Sequence, residues 1–156
     1  MIDRLSSLQL LDVELLDKLG TLMIGLRADG SALEVFESAR SPSRQAALYA
    51  IGRDPKKPGY GRTVTRAKAY QSAHQWGMAV DLVFKVNGQW TWDEPVRGQW
   101  ERMTLLAHHA GLVTLSFERP HVQLPGFNPT RLPTGPAGDD DWLVWLGERL
   151  GRQGVG

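Results

Sequence analysis

The chain has 156 residues, no cysteine and a formal charge of +1. That length is one ordinary domain, large enough to bury a core without covalent staples. The absence of cysteine excludes disulfides and thiolate metal ligands, and the charge balance argues against a molecule-wide basic field for nucleic acid.

Leu8, Leu11, Leu15, Leu16, Leu19, Leu22, Met23 and Leu26 recur at helical spacing, so residues 8–26 read as an amphipathic helix or helix pair that stops at Ala28-Asp29-Gly30. Leu33 to Ser38 reads as a strand delivering Arg40 at its end, and Ser41-Pro42-Ser43 starts a short helix to Ile51. Val80 to Val86 and Gln89 to Trp92 flank Asn87-Gly88, a hairpin signal. Pro95 to Ala110 reads as a second long helix closed by Gly111, and Leu112 to Phe117 and His121 to Leu124 read as the last strands. After a Pro/Gly-rich connector, Asp139-Asp140-Asp141-Trp142 opens an amphipathic helix that is expected to dock on the domain. Helical runs alongside hairpin-joined strands predict an α+β fold, a small antiparallel sheet with flanking helices. One domain over residues 1–156 is expected, with a core at about 8–125 and a helical tail at about 139–150. No segment approaches the roughly 20 apolar residues of a membrane span. The start Met1-Ile2-Asp3-Arg4-Leu5 lacks the basic opening and apolar run of a secretory signal.

Two segments carry the chemistry: Gln71-Ser72-Ala73-His74-Gln75-Trp76-Gly77-Met78-Ala79-Val80-Asp81 and Phe117-Glu118-Arg119-Pro120-His121-Val122-Gln123. A catalytic zinc takes three protein ligands and keeps a fourth position open. His74, Asp81 and His121 fit that count for one zinc ion, and Glu118 adds a carboxylate able to act as base. Gly77 permits a bend between His74 and a strand that carries Asp81, so a turn running into a strand brings both to one point. Pro120 fixes its own φ and biases Arg119 toward extended geometry, aiming Glu118 and His121 together. The helical HExxH arrangement is absent.

The same residues resemble the zinc D-alanyl-D-alanine carboxypeptidase and L-alanyl-D-glutamate endopeptidase family, which includes phage endolysins and shares its fold with the hedgehog signalling domain. The resemblance runs from about Glu34 to Gln123 and takes in Ser38-Ala39-Arg40-Ser41, Gln45, Leu48-Tyr49, Gly52-Arg53, Thr65 and Ser72. It implies a hedgehog/DD-peptidase-like fold, zinc on His74, Asp81 and His121, Glu118 as general base, and Arg40 as a substrate or transition-state anchor. Ser72 and Gln45 are implied as supporting residues, and Trp76, beside the first ligand, is expected to line the groove. The family often has Gly-Tyr before the arginine and Trp-Asp in the second motif, where this chain has Ser38-Ala39 and Phe117-Glu118. None of these differences removes a chemical group the reaction needs.

The activity implied is cleavage of bacterial peptidoglycan stem peptides, first between L-Ala and D-Glu as in compact endolysins. Removal of terminal D-Ala is the runner-up, and a non-catalytic hedgehog-like zinc-binding domain is the alternative of another class. A phage lysin would wait in the host cytoplasm for a holin-type partner to open the membrane before acting on the wall. A monomer without nucleic-acid partner or membrane insertion is expected. The basic stretch Arg53 to Lys68 reads as a solvated loop or as a cleft rim that attracts acidic substrate. His108 and His109 point about 100 degrees apart on a helix and read as surface or packing residues rather than ligands.

Overall fold

The computed structural model describes residues 3–151; Met1, Ile2 and residues 152–156, part of the expected 1–156 domain and of the N-terminal reading, lie outside the described residues. The leucine stripe becomes a 3-10 turn at Leu8–Leu10 followed by helix α1, Val13–Ala28. Asp12 caps it by accepting from the Glu14 N–H at 2.8 Å, and Gly30, at φ 70°, turns the chain out. Gly20 and Gly25 do not break the helix. Gly25 lies where Leu106 approaches, so that a Cβ would stand 3.3 Å from the leucine side chain.

Strands β1 (Leu33–Glu37) and β2 (Ala79–Val86) pair antiparallel, and helix α2 (Pro42–Ala50) lies between them in sequence with Ser41 as its N-cap. Strand β3 (Gln89–Thr91) returns along β2 through Asn87 and Gly88, both at positive φ as the predicted turn requires. Helix α3 covers Gln99–His109, shorter at its start than expected. Gly98, at φ 90°, sets its entry, and the Glu94 carboxylate accepts from the Trp100 N–H at 2.8 Å, so residues 95–98 form a loop before the helix. The last strands are β4 (Val113–Leu115) and β5 (Glu118–Gln123), with Ser116 and Phe117 in the turn between them. Glu118 and Pro120 therefore belong to a strand, where the sequence reading began it at His121. Helix α4, Asp139–Arg149, completes the described chain.

The main path of the sheet is β1-β2-β5-β4, with β3 also on β2. Alternation along β2 sends Val80, Leu82 and Phe84 into the main core, where they meet Leu15, Leu19, Leu22 and Leu26 of α1 and Trp100 and Met103 of α3. Fully burying each such side chain stabilises by about 1.5–3 kcal/mol. Asp81 and Val83 face the other way, into a cleft. A second apolar cluster lies around Trp76, Tyr70 and Ala39, and α4 closes it with Trp142 and Leu146, both fully buried. The tail helix is thus docked on the domain.

The same sheet explains why a cleft opens. β5 pairs with β2 only from Ala79 to Asp81, and β3 pairs only from Phe84 to Val86. Leu82 and Val83 have partners in β1 alone. Pro120 has no N–H to continue the ladder and sits where β5 bulges away from β4. The strand carrying Glu118 therefore splays from β2 and leaves a groove.

Candidate metal centre

One rung of the sheet assembles the heart of the site. Asp81 on β2 is the cross-strand partner of Glu37 on β1 and of His121 on β5. His74 arrives from a 3-10 turn, Ala73–Trp76, capped by the Ser72 hydroxyl accepting from the His74 N–H at 3.3 Å. Gly77 ends that turn at φ 66°. A Cβ there would lie 2.6 Å from the Leu10 carbonyl, and its own carbonyl accepts from the Asp12 N–H at 2.8 Å. No larger residue fits the bend between the two ligand positions without moving the chain.

His74, Asp81 and His121 each offer a ligand atom within 4.8 Å of the others. The imidazoles are oriented from behind. His74 Nδ1 lies 2.7 Å from the Ser38 carbonyl, which fixes the proton there and leaves the Nε2 lone pair toward Asp81 at 3.2 Å. His121 Nε2 lies 2.7 Å from Gln123 Oε1, leaving Nδ1 inward. That Nδ1 is buried without a hydrogen bond; Asp81 and Glu118 oxygens are 3.5 and 3.8 Å away. Metal-bound histidines characteristically donate their outer N–H to a carbonyl or carboxylate in this way.

The electrostatics agree with a cation. Three carboxylates, Glu37, Asp81 and Glu118, face two arginines, Arg40 and Arg44, so neutral imidazoles leave one negative charge unmatched. Burial alone would push Asp81 up, but His74, His121 and Arg40 outweigh it and hold its carboxyl well below the usual range. Burial and Arg40 push His74 down, against the opposing pull of Asp81. Burial works against a charge on His121 as well, yet Asp81 and Glu118 raise it, so this ring is where the cluster draws positive charge. Burial pushes Glu118 up, with Asp81 adding to the rise against the opposing pull of His121 and Arg40. The donor set, two nitrogens and one carboxylate with a vacant lone pair pointing inward, fits zinc.

The implied supporting residues fall into place differently. Arg40 is buried and donates through Nη2 to Asp81 Oδ2 at 2.8 Å and to Glu37 at 2.9 Å, and through Nη1 to Gln45 Oε1 at 2.9 Å. It borders the cleft, but its terminal nitrogens are engaged within the protein. Gln45 is fully buried and reaches the Ala67 carbonyl at 2.6 Å. Trp76, expected to line the groove, is packed edge-on against Tyr70 and Trp145 in the second cluster, with its indole N–H given to the Tyr70 carbonyl. The 3-10 turn sends successive side chains to different sides, so Trp76, two positions after His74, packs away from the His74–Asp81–His121 cluster.

Three contributors were not singled out in the sequence. Gln123 orients His121, and its position two residues on in the same strand places it on the same face. Glu37, only 2 % exposed, holds Arg40 and Arg44. Gln75 bonds the Arg40 carbonyl and Gln45 and is itself held by the Trp142 indole N–H at 2.9 Å. Polar residues in a strand and a turn carry no local mark of such a network; only its long-range partners reveal it.

Two grooves meet at the cluster. One, of about 510 Å³, runs between Phe36, Trp92, Ile51, Thr63 and Glu118. The other, of about 350 Å³, passes Arg66, Ser72, Phe127, Gln123 and Glu118. They share Thr65, Phe117, Glu118 and His121. The basic loop contributes to both walls, whereas His108 sits far along the chain on α3 beside Thr114 and takes no part.

Comparison with known proteins agrees with this architecture. A family model described as D-alanyl-D-alanine carboxypeptidase matches residues 65–118, a stretch containing His74, Asp81 and Glu118. The solved vancomycin-resistance D,D-pentapeptidase VanY of a VanB-type cassette, in complex with Zn(II), superposes with a TM-score of 0.57 at 17% identity, covering 96% of this chain and 89% of that one. The LD-carboxypeptidase LdcB superposes at 0.53 with 20% identity, over 74% of this chain and 66% of its own. The chain thus shares the fold of these two proteins and, over residues 65–118, resembles the D-alanyl-D-alanine carboxypeptidase family.

Proposed function

We propose that this protein is a zinc-dependent hydrolase of peptidoglycan stem peptides. The observation that carries the reading is the convergence of His74, Asp81 and the unpartnered His121 Nδ1 beside the Glu118 carboxylate at the junction of two grooves. When bound, zinc supplies a Lewis acid that polarises the scissile carbonyl and lowers the pKa of water to about 7. Glu118 takes the proton of the attacking water and passes it to the leaving amine; its raised pKa suits a group that must both accept and release it. Thr65 lines both grooves with Glu118 and favours the charged form of its carboxylate. Arg40, held by Glu37 and Gln45, keeps Asp81 ionised and aimed. Ser72 shapes the turn that presents His74.

Within this class, an L-alanyl-D-glutamate endopeptidase is the reading the cleft favours. Grooves leave the Glu118–His121 pair in two directions, so substrate can extend on both sides of the scissile bond. Removal of terminal D-Ala is the second reading, favoured by the description of the matching family model. A binding domain without catalysis would leave Glu118 idle at the mouth of the cleft. The phage-type endolysin setting, with a holin-type release partner and a monomeric enzyme, rests on the resemblance to compact endolysins. No described helix is long and apolar enough to cross a membrane.

Mass spectrometry of defined muropeptides, incubated with zinc-loaded and chelator-treated protein, tests the reading. Release of a peptide that begins at D-Glu is the expected product. Loss of one alanine would replace it with the carboxypeptidase, and no zinc-dependent cleavage of any muropeptide would overturn the hydrolase.

A further inference from the structure

The arginines around the cleft are not equivalent. Arg40 and Arg44 are committed to Glu37 and Asp81. Arg53 donates to the Tyr49 and Thr65 carbonyls and lies over the Tyr49 ring. Arg66 is exposed, and no carboxylate among the described residues forms an ion pair with it. Its guanidinium carbon lies 4.3 Å from the centre of the Phe117 ring. Arg66 and Phe117 line the same groove as Ser72, Gln123, His121 and Glu118.

This placement has chemical consequences. A guanidinium lying over a ring has one face occupied, its plane fixed, and its edge N–H groups free for a planar anion. Phe117 is half exposed and directly precedes Glu118, so the stack holds a positive charge in the groove that the Glu118 carboxylate also lines. Arg119 lines the other groove, exposed, and among the described residues no ring lies beneath it to fix its fork. Arg40, the arginine expected to anchor substrate, already has both terminal nitrogens hydrogen-bonded inside the protein. Among the described residues, Arg66 is therefore the oriented cation that the open groove offers an acidic substrate group.

We propose that Arg66, held by Phe117, is a specificity-determining residue that binds a free carboxylate on the substrate residue next to the scissile amide. It rests on the peptidase reading above. In a stem peptide whose D-glutamyl residue is linked through its side chain, the group that fits is the α-carboxylate. Amidation of that carboxylate removes the charge and one acceptor oxygen, leaving a neutral amide that the fork cannot bind bidentately. Arg66 thus discriminates acidic from amidated wall peptides.

The test uses two synthetic peptides, L-Ala-γ-D-Glu-L-Lys with its glutamyl α-carboxylate free or amidated. Each is offered to zinc-loaded wild type, Arg66→Gln and Arg119→Gln, with cleavage followed as separate KM and kcat. Calorimetric titration into zinc-loaded Glu118→Ala, with and without Arg66→Gln, measures binding without turnover. Wild type is expected to favour the free acid about tenfold, mostly in KM, the size of one charge-assisted contact. Arg66→Gln should lose that preference and Arg119→Gln should keep it. A preference that survives Arg66→Gln, or disappears equally in Arg119→Gln, would overturn the proposal, as would wild type treating both peptides alike. Binding with the Arg66-dependent preference but no cleavage would support Arg66 and refute the hydrolase. Neither binding nor cleavage of either peptide would overturn both.

Discussion

The two sides of the metal cluster are built to different standards. On the His74–Asp81 side most polar groups are tied into a buried network, the Ser38 hydroxyl and Arg40 Nε being left out of it: the Ser38 carbonyl holds His74, Arg40 holds Asp81, and Glu37, Gln45 and Gln75 hold Arg40 and its neighbours. Even the Trp142 indole of the C-terminal helix is recruited, through the Gln75 carbonyl. On the β5 side, Glu118 is partly exposed, Phe117 is half exposed, and a single side-chain contact from Gln123 orients His121. The contrast teaches a division of labour. Under the proposed function, the preorganised wall would fix ligand geometry, where an error of an ångström is costly, and the looser wall would meet substrate and move protons.

The sharpest way to break this comparison is to remove a ligand from the rigid wall. His74→Ala should abolish stoichiometric zinc and turnover together; full zinc occupancy by elemental analysis of the variant would refute the ligand set. On the open wall, Glu118→Ala should keep the zinc and lose about 10²- to 10⁴-fold in kcat, the usual contribution of general acid–base catalysis. Wild-type turnover in that variant would disprove the assignment of the base. Gln123→Leu removes only the group behind His121, so competition with a chelator should show zinc affinity weakened about 10- to 100-fold. An unchanged affinity would mean that strand geometry alone orients the ring.

The smallest effect is expected in stability. Burial favours a neutral Glu37, but hydrogen bonds and charge from Arg40 and Arg44 outweigh it and lower its pKa. A lowered folded-state pKa contributes stability above the unfolded value, near 4.5, and that stability is lost as pH falls through the folded value. Glu37→Gln should therefore be less stable at neutral pH, by about 1–3 kcal/mol, and lose less on acidification below 4.5. Parallel urea midpoints from pH 7 to 3 for the two proteins would contradict the inward charge network.

Much of the fold was legible because its signals are local. The leucine spacing of α1, the Ser41-Pro42 start of α2 and the Asn87-Gly88 turn each express a backbone preference within a few residues, and all appear where expected. The start of α3 was misjudged because Pro95 is a good first-turn residue, while Gly98 and the Glu94 cap set the boundary from either side. The beginning of β5 was missed because Pro120 argues against a strand unless it lies at a bulge, and the bulge is a property of pairing with β4. In the site, His74, Asp81, Glu118 and His121 stood out by residue type and spacing. Trp76 was misplaced because adjacency to a ligand says nothing about which side of a 3-10 turn a side chain takes.

Residue chemistry and spacing alone determined the class of donors, the exclusion of thiolates and the ability of a bend at Gly77 to join a turn to a strand, since these depend on atoms close together along the chain. Only the tertiary structure decided that Glu37, Asp81 and His121 share one rung, that Arg40 faces inward to Asp81, and that Arg66 lies on Phe117 in an open groove. Those pairings join residues up to 51 positions apart, from Arg66 to Phe117. Strand register and the splay at Pro120, rather than any local preference, bring them together.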